Sequence, residues 1–182
     1  VFTSATLTTG GSFDFIRERL GIEGEVDEVD LPSPFRFAEQ AALYLPNDLP
    51  DPREPAFADV AAEAILALTK ITGGGAFVLC TSFRSMNALA QACRPTLVDR
   101  DHRVLVQGEA PKGSLLRRFR EAGDAVLFAT MSFWEGVDVP GHALRLVILD
   151  KLPFQAPDDP LLRARSEAIE AAGASAFRQL HL

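Results

Sequence analysis

A chain of 182 residues with 47% apolar and 24% charged side chains has the length and composition of one globular domain with a full hydrophobic core. It contains no run of about 18 apolar residues, and its N-terminus lacks the basic region and small-residue cleavage site of a signal peptide, so no membrane span is expected and a cytoplasmic location is. The net charge of −7 argues against a free-standing nucleic-acid binder, because phosphate binding depends on clustered Lys and Arg.

That average hides an uneven distribution. Glu23 to Asp30 carries five carboxylates and no base, whereas residues 81–120 carry eight Lys or Arg against Asp99, Asp101 and Glu109, a local balance of +5. This middle segment suits a polyanion, and equally suits a set of solvated helix faces. The chain opens on Val1-Phe2 without Met and stops at Leu180-His181-Leu182 without a polar tail, so it reads as a piece of something larger.

In chain order, Ser12 is placed to cap a short helix carrying Phe15, Ile16 and Leu20, with Gly21 at its end. An acidic, Pro-rich passage from Glu23 to Phe35 follows, then a predicted strand at Ala41 to Leu45 and a loop from Asn47 to Pro55 with three prolines. Phe57, Ala61, Ala64, Ile65 and Leu68 recur at helical spacing between Glu54 and Lys70, and Gly73-Gly74-Gly75 stops the pattern. These glycines precede an apolar strand, Ala76 to Cys80. Phosphate loops instead lie between a strand and the helix after it, which argues against that role here.

A helix from about Phe83 to Cys93 comes next, then a strand at Arg103 to Gln107 and a helix begun by Ser114 with Leu115, Leu116 and Phe119 on one face. Strands at Ala125 to Ala129 and Leu144 to Asp150, and a helix capped by Asp159 with Pro160 at its first position, complete the set. Strands alternating with helices at this spacing predict an α/β fold, a parallel sheet with helices on both faces. Cys80 and Cys93 are expected as core thiols, and the scattered His102, His142 and His181 suggest no metal site.

In a parallel sheet the strand C-termini share one edge, where ligands of open α/β sheets bind. Three polar segments reach that edge: Thr81-Ser82-Phe83-Arg84, Thr130 to Asp138, and Asp150-Lys151-Leu152-Pro153-Phe154. The hydroxyls of Thr81, Ser82, Thr130 and Ser132 can donate to phosphate oxygens, and Arg84 and Lys151 add charge. Taken singly, each hydroxyl is better explained by helix capping, and only the convergence of several favours phosphate. In extended backbone the adjacent Phe133 and Trp134 would point to opposite sides, so that one can be core and the other free to stack on a base; packing of both rings in the core is the equal alternative, and core packing is the expectation for Trp134. Glu135, Gly136 and Asp138 suit a ribose or a basic side chain. No G-x-x-x-x-G-K-[ST] or G-x-G-x-x-G occurs, so the usual triphosphate or dinucleotide loop is missing.

Five strings stand in a telling order: Thr3-Ser4-Ala5-Thr6-Leu7; Leu31-Pro32-Ser33-Pro34-Phe35; Phe77-Val78-Leu79-Cys80-Thr81-Ser82; Ser132-Phe133-Trp134-Glu135-Gly136-Val137-Asp138-Val139-Pro140-Gly141; and Asp150-Lys151-Leu152-Pro153-Phe154. The chain resembles DinG/XPD-like superfamily 2 DNA helicases, closest to the bacterial DinG/YoaA branch, along essentially its whole length. The fourth and fifth strings are highly specific; the serine-alanine-threonine string alone is not.

The resemblance implies a RecA-like second motor domain of an ATP-dependent 5′→3′ DNA helicase. Residues 1–30 would form the motif III junction and the start of that domain, and residues 31–182 its body, truncated before motif VI. Ser4, Ala5 and Thr6 would couple the two motor domains. Thr81-Ser82 resembles motif IV and Ser132 to Asp138 motif V, which implies DNA contacts from Thr81, Ser82, Arg84, Thr130, Ser132 and Lys151 and nucleotide contacts from Glu135, Gly136 and Asp138.

ATP and Mg2+ would be held mainly by the first RecA-like domain. The Walker A loop, the Asp-Glu-x-His box and the cysteines of any iron–sulfur cluster would lie before Val1, and the motif VI arginines beyond Leu182. No catalytic residue is therefore expected within the 182 residues. The implied partners are single-stranded DNA and that first domain. The alternative is a non-catalytic RecA-like module that binds DNA or a partner protein; a small-molecule nucleotide enzyme is disfavoured by the missing glycine loops.

Overall fold

The computed structural model describes residues 1–152, 160–171 and 173–176, and the chain divides into two compact units, Val1–Pro46 and Asn47–Leu182. In the first unit, helix α1 (Asp14–Leu20) begins just after Ser12, whose hydroxyl accepts the Asp14 N–H at 3.0 Å. It closes at Gly21, φ +62°, where Ile22 N–H reaches back to the Arg17 carbonyl at 2.9 Å, a left-handed end that glycine enters without strain. None of its residues is buried.

A short helix α2 (Phe37–Gln40) that the sequence pattern does not announce follows. The predicted strand at Ala41 to Leu45 is absent: Ala41 is extended, but no described strand pairs with the segment, and Leu43, Tyr44 and Leu45 are all exposed. Apolar composition favours extended backbone, and a strand also needs a ladder partner.

The second unit is built on four parallel strands, β1 (Ala76–Cys80), β2 (Val104–Val106), β3 (Val126–Thr130) and β4 (Leu146–Leu149), in the order β2-β3-β1-β4. Helices α3 (Phe57–Thr72) and α4 (Phe83–Asp99) cover one face, and α5 (Lys112–Ala122) covers the other. Strand β1 divides its side chains with period two: Ala76, Val78 and Cys80 meet Ile65, Met86 and Leu89, while Phe77 and Leu79 meet Leu115 and Phe119. Burial on both faces explains the unbroken apolar runs of β1 and β3. Phe77 and Phe119 pack edge to face, 4.6 Å between ring centroids. On edge strand β4, Leu146 and Ile148 pack into the α3–α4 core, whereas Val147 and Leu149 are exposed.

Helix α4 runs past the predicted end at Cys93 to Asp99, through Pro95. The proline forfeits one helical hydrogen bond, and the fully buried Leu97 beyond it anchors the final turn. Helix α5 starts at Lys112, two residues before Ser114, because the extended Pro111 offers its carbonyl to the N–H groups of Ser114 and Leu115, at 2.9 and 3.1 Å. Helix α6 (Pro160–Ala171) has Pro160 first, as predicted; its predicted cap, Asp159, lies outside the described residues. Among the described residues no helix is long and apolar enough to cross a membrane.

Candidate functional site

The register Cys80↔Thr130 between β1 and β3, and Leu79↔Leu149 between β1 and β4, brings the ends of these strands side by side at one edge. The three predicted polar segments emerge there.

After β1 comes Thr81, half-buried, whose N–H donates to Asp150 Oδ1 at 2.9 Å. Ser82 caps α4, its hydroxyl oxygen accepting the Ser85 N–H at 3.1 Å, so the capping role is realised and the hydroxyl hydrogen remains available to a further acceptor. Arg84 projects from the exposed first turn, and its guanidinium has no partner among the described residues.

After β4 stands Asp150, with a side chain only 1% exposed. Its Oδ2 accepts the Ser85 hydroxyl at 2.7 Å and lies 3.9 Å from the ammonium of Lys151, which is over a third exposed. Pro153 and Phe154, the rest of the predicted segment, lie outside the described residues.

After β3, Thr130 is buried, and both its N–H and its hydroxyl donate to Gln107 Oε1, at 2.7 and 3.0 Å. The chain then turns through a 3-10 segment, Met131–Phe133, so the extended backbone expected around Phe133 and Trp134 does not occur. A helical turn sends both rings toward the same core: Phe133 is buried among the α5-side residues and Trp134 is half-buried against them. Ser132 is exposed, with its carbonyl accepting the Lys112 ammonium, which also lies 5.2 Å above the Phe133 ring. Glu135, Gly136 and Asp138 are exposed. Gly136 has φ +66°, a turn that favours glycine, and the Asp138 carbonyl is held by Arg120. Neither the Glu135 nor the Asp138 carboxylate has a partner among the described residues, so both remain available to a ligand.

The predicted positions thus fall into four groups. Thr81, Ser82, Arg84 and Lys151 lie around Asp150, and Ser132, Glu135, Gly136 and Asp138 share the loop after β3. Thr130 sits beneath that loop with its hydroxyl already committed. Ser4, Ala5 and Thr6 lie in the first unit, where the Ser4 hydroxyl accepts the Thr6 N–H at 3.2 Å in a local turn.

Sequence reasoning missed the residues that hold these loops: Asp150, Gln107, Lys112 and Arg120. The available signal was a polar side chain directly following an apolar strand, which Gln107 and Asp150 both are. Both cysteines are free and buried. Burial, reinforced by the charge of Asp150, pushes the Cys80 thiol up to about 12, and burial pushes Cys93 up to about 11, so neither supplies a thiolate at neutral pH. Among the described residues no group of three His, Cys, Asp or Glu side chains could hold a metal ion.

Residues 65–182 match the family described as Helicase C-terminal domain. The chain is 44% identical over its whole length to the ATP-dependent DNA helicase YoaA of Haemophilus influenzae, of which it covers 28%. It is 39% identical over 97% of its length to the ATP-dependent helicase DinG of Mycobacterium tuberculosis, covering 27% of that protein. It is 33% identical over its whole length to the 3′-5′ exonuclease DinG of Bacillus subtilis, covering 20% of it. The chain therefore spans less than a third of the length of the relatives it matches. The parallel sheet with helices on both faces is the one the strand–helix alternation predicted and is the RecA-like architecture that the family resemblance implied, and the chain belongs to the helicase C-terminal domain family.

Proposed function

We propose that this chain is the second motor domain of an ATP-dependent 5′→3′ DNA helicase, contributing single-stranded DNA contacts and one wall of an ATP cleft. Residues 1–30 would form the junction to the first motor domain, with Ser4, Ala5 and Thr6 transmitting closure, and residues 31–182 the second motor domain, whose compact body starts at Asn47. The observation that carries the reading is the concentration of donors and carboxylates at one sheet edge, of which the side chains of Arg84, Ser132, Glu135 and Asp138 have no partner among the described residues. Ser82, Arg84, Ser132 and Lys151 present hydroxyls and cations suited to backbone phosphates, and Thr81 lies in the same turn. Glu135 and Asp138 flank Gly136 in the neighbouring loop, and the shared β3 loop ties the strand grip to the nucleotide side. Thr130 serves as the floor of that loop.

In this reading the residues of this chain grip, orient and couple. Phosphoryl transfer needs a phosphate-cradling loop with its lysine, carboxylate-held Mg2+ and an arginine for the transition-state charge. Those groups are assigned to the first domain and to motif VI of the intact protein, as are any iron–sulfur cysteines, and residues 1–182 alone should bind ATP poorly and not hydrolyse it. Closure of the cleft on ATP would bring Gly136 and Asp138 to the nucleotide while the β1 and β3 loops hold the strand, and reopening would shift the grip. The test is Asp138→Ala in the intact helicase: DNA-stimulated ATP hydrolysis should fall about tenfold, about 1.4 kcal/mol in the barrier, while single-strand affinity stays within about twofold. Unchanged stimulation would remove Asp138 from the cleft.

A further inference from the structure

A buried carboxylate is costly unless hydrogen bonds replace its water. That of Asp150 is fully enclosed, and both its oxygens are spent on one turn: Oδ1 on the Thr81 N–H and Oδ2 on the Ser85 hydroxyl. The turn opens the 17-residue helix α4, whose N-terminal dipole favours an anion there. The two ends of this clasp lie 69 residues apart in sequence and come from different strands. Lys151, the next residue after Asp150, holds its ammonium 3.9 Å from Oδ2.

The distribution of donors is informative. Asp150 takes the inward-facing pair, Thr81 N–H and Ser85 hydroxyl. It leaves the Ser82 hydroxyl hydrogen, the Arg84 guanidinium, and the first-turn N–H groups of Phe83 and Arg84, which have no helical carbonyl to bond.

We propose that Asp150 is a positioning residue for the DNA grip: by clasping the Thr81–Ser85 turn to the end of β4, it fixes Ser82, Arg84 and Lys151 as a single phosphate-binding surface. Asp150 itself touches no DNA. The inference rests on the proposed function for its consequence and on the observed hydrogen bonds for its geometry, and the two are tested separately.

The electrostatic sign makes the test sharp. Deleting a carboxylate beside a polyanion site strengthens binding if charge alone matters. Positioning predicts the opposite for Asp150→Ala, which loses both bonds. Asp150→Asn keeps an oxygen for Thr81 and an amide for Ser85 while losing the charge. In the 182-residue chain, binding of a fluorescent oligothymidylate should weaken about tenfold in Asp150→Ala and stay equal to or tighter than wild type in Asp150→Asn. Hydrogen exchange at the Thr81 amide should accelerate at least tenfold in Asp150→Ala and stay within about threefold in Asp150→Asn.

Should Asp150→Ala fail to fold, Ser85→Ala, which removes the Oδ2 bond alone, should weaken binding about threefold while Asp150→Asn does not. Tighter or unchanged binding by Asp150→Ala with native circular dichroism, or an unaltered Thr81 amide, would overturn the positioning role. A wild-type chain that binds no oligothymidylate would overturn the DNA reading, and the Thr81 amide would still report on the clasp.

Discussion

The two edges of the sheet are built on opposite plans. At the edge where strands begin, the Arg145 guanidinium donates to the carbonyls of Thr72, Gly73, Gly123 and His142, lashing together the turns that precede β1, β3 and β4. Gly74 and Gly75, with φ of +77° and +62°, are packed so closely against Asp124 and Arg145 that neither has room for a Cβ. At the edge where strands end, backbone and floor groups are tied by Asp150, Gln107, Lys112 and Arg120, while the side chains of Arg84, Ser132, Glu135 and Asp138 have no partners among the described residues. An edge whose polar groups are consumed by its own backbone contributes stability. An edge that keeps donors uncommitted on a rigid floor can bind.

This contrast is broken most severely at Gly74. Gly74→Ala forces a left-handed residue to carry a Cβ directed into the Asp124 carbonyl, and should cost at least about 3 kcal/mol of stability by urea denaturation. A loss under about 1 kcal/mol would show that this edge is more pliant than its packing indicates. Next is Arg145→Ala, which removes several charge-assisted hydrogen bonds and should cost about 2 kcal/mol, with Arg145→Lys recovering only part because an ammonium cannot span the same carbonyls.

Both substitutions should leave oligothymidylate affinity unchanged in whatever fraction remains folded. On the opposite edge the pattern inverts. Arg84→Ala should weaken single-strand binding about fivefold and flatten its salt dependence, yet change stability by less than about 0.5 kcal/mol, since its exposed guanidinium has no partner among the described residues to lose.

The smallest effect concerns the thiols beneath the sheet. Cys80 and Cys93 are raised to about 12 and about 11 in the folded chain, against about 8.5 for a free cysteine, so unfolding between these values releases thiol protons. Their contribution to stability is complete below about pH 8.5 and is lost as the pH climbs toward 11 and 12. Iodoacetamide at pH 8 should leave the native chain unmodified over a time that fully labels the urea-unfolded chain. Rapid native labelling would mean that the floor of the site opens readily.

Much of this plan was legible in the residues. The apolar runs at 76–80 and 125–129 had no polar alternation, as strands buried on both faces require, and the Leu115, Leu116 and Phe119 spacing located α5 despite an offset at its start. The failure at Ala41 to Leu45 has a definite origin: a strand is a pairwise property, and composition specifies only one of the two partners. The loop after β3 was legible in content and not in shape, because a 3-10 turn at Met131–Phe133 depends on the core accepting both Phe133 and Trp134. Asp150 and Gln107 were invisible as clasps, since their partners at Thr81 and Thr130 lie 69 and 23 residues away and only the strand order brings them together.

The central claim, that binding belongs to the edge where the strands end, is tested most directly by mapping amide chemical-shift changes of the 182-residue chain titrated with oligothymidylate. The account predicts changes concentrated at residues 81–85, 130–138 and 151, with residues 72–75, 123–124 and 142–145 unmoved. Changes centred on that second set, or spread along the outer surface of α4 away from its first turn, would contradict it.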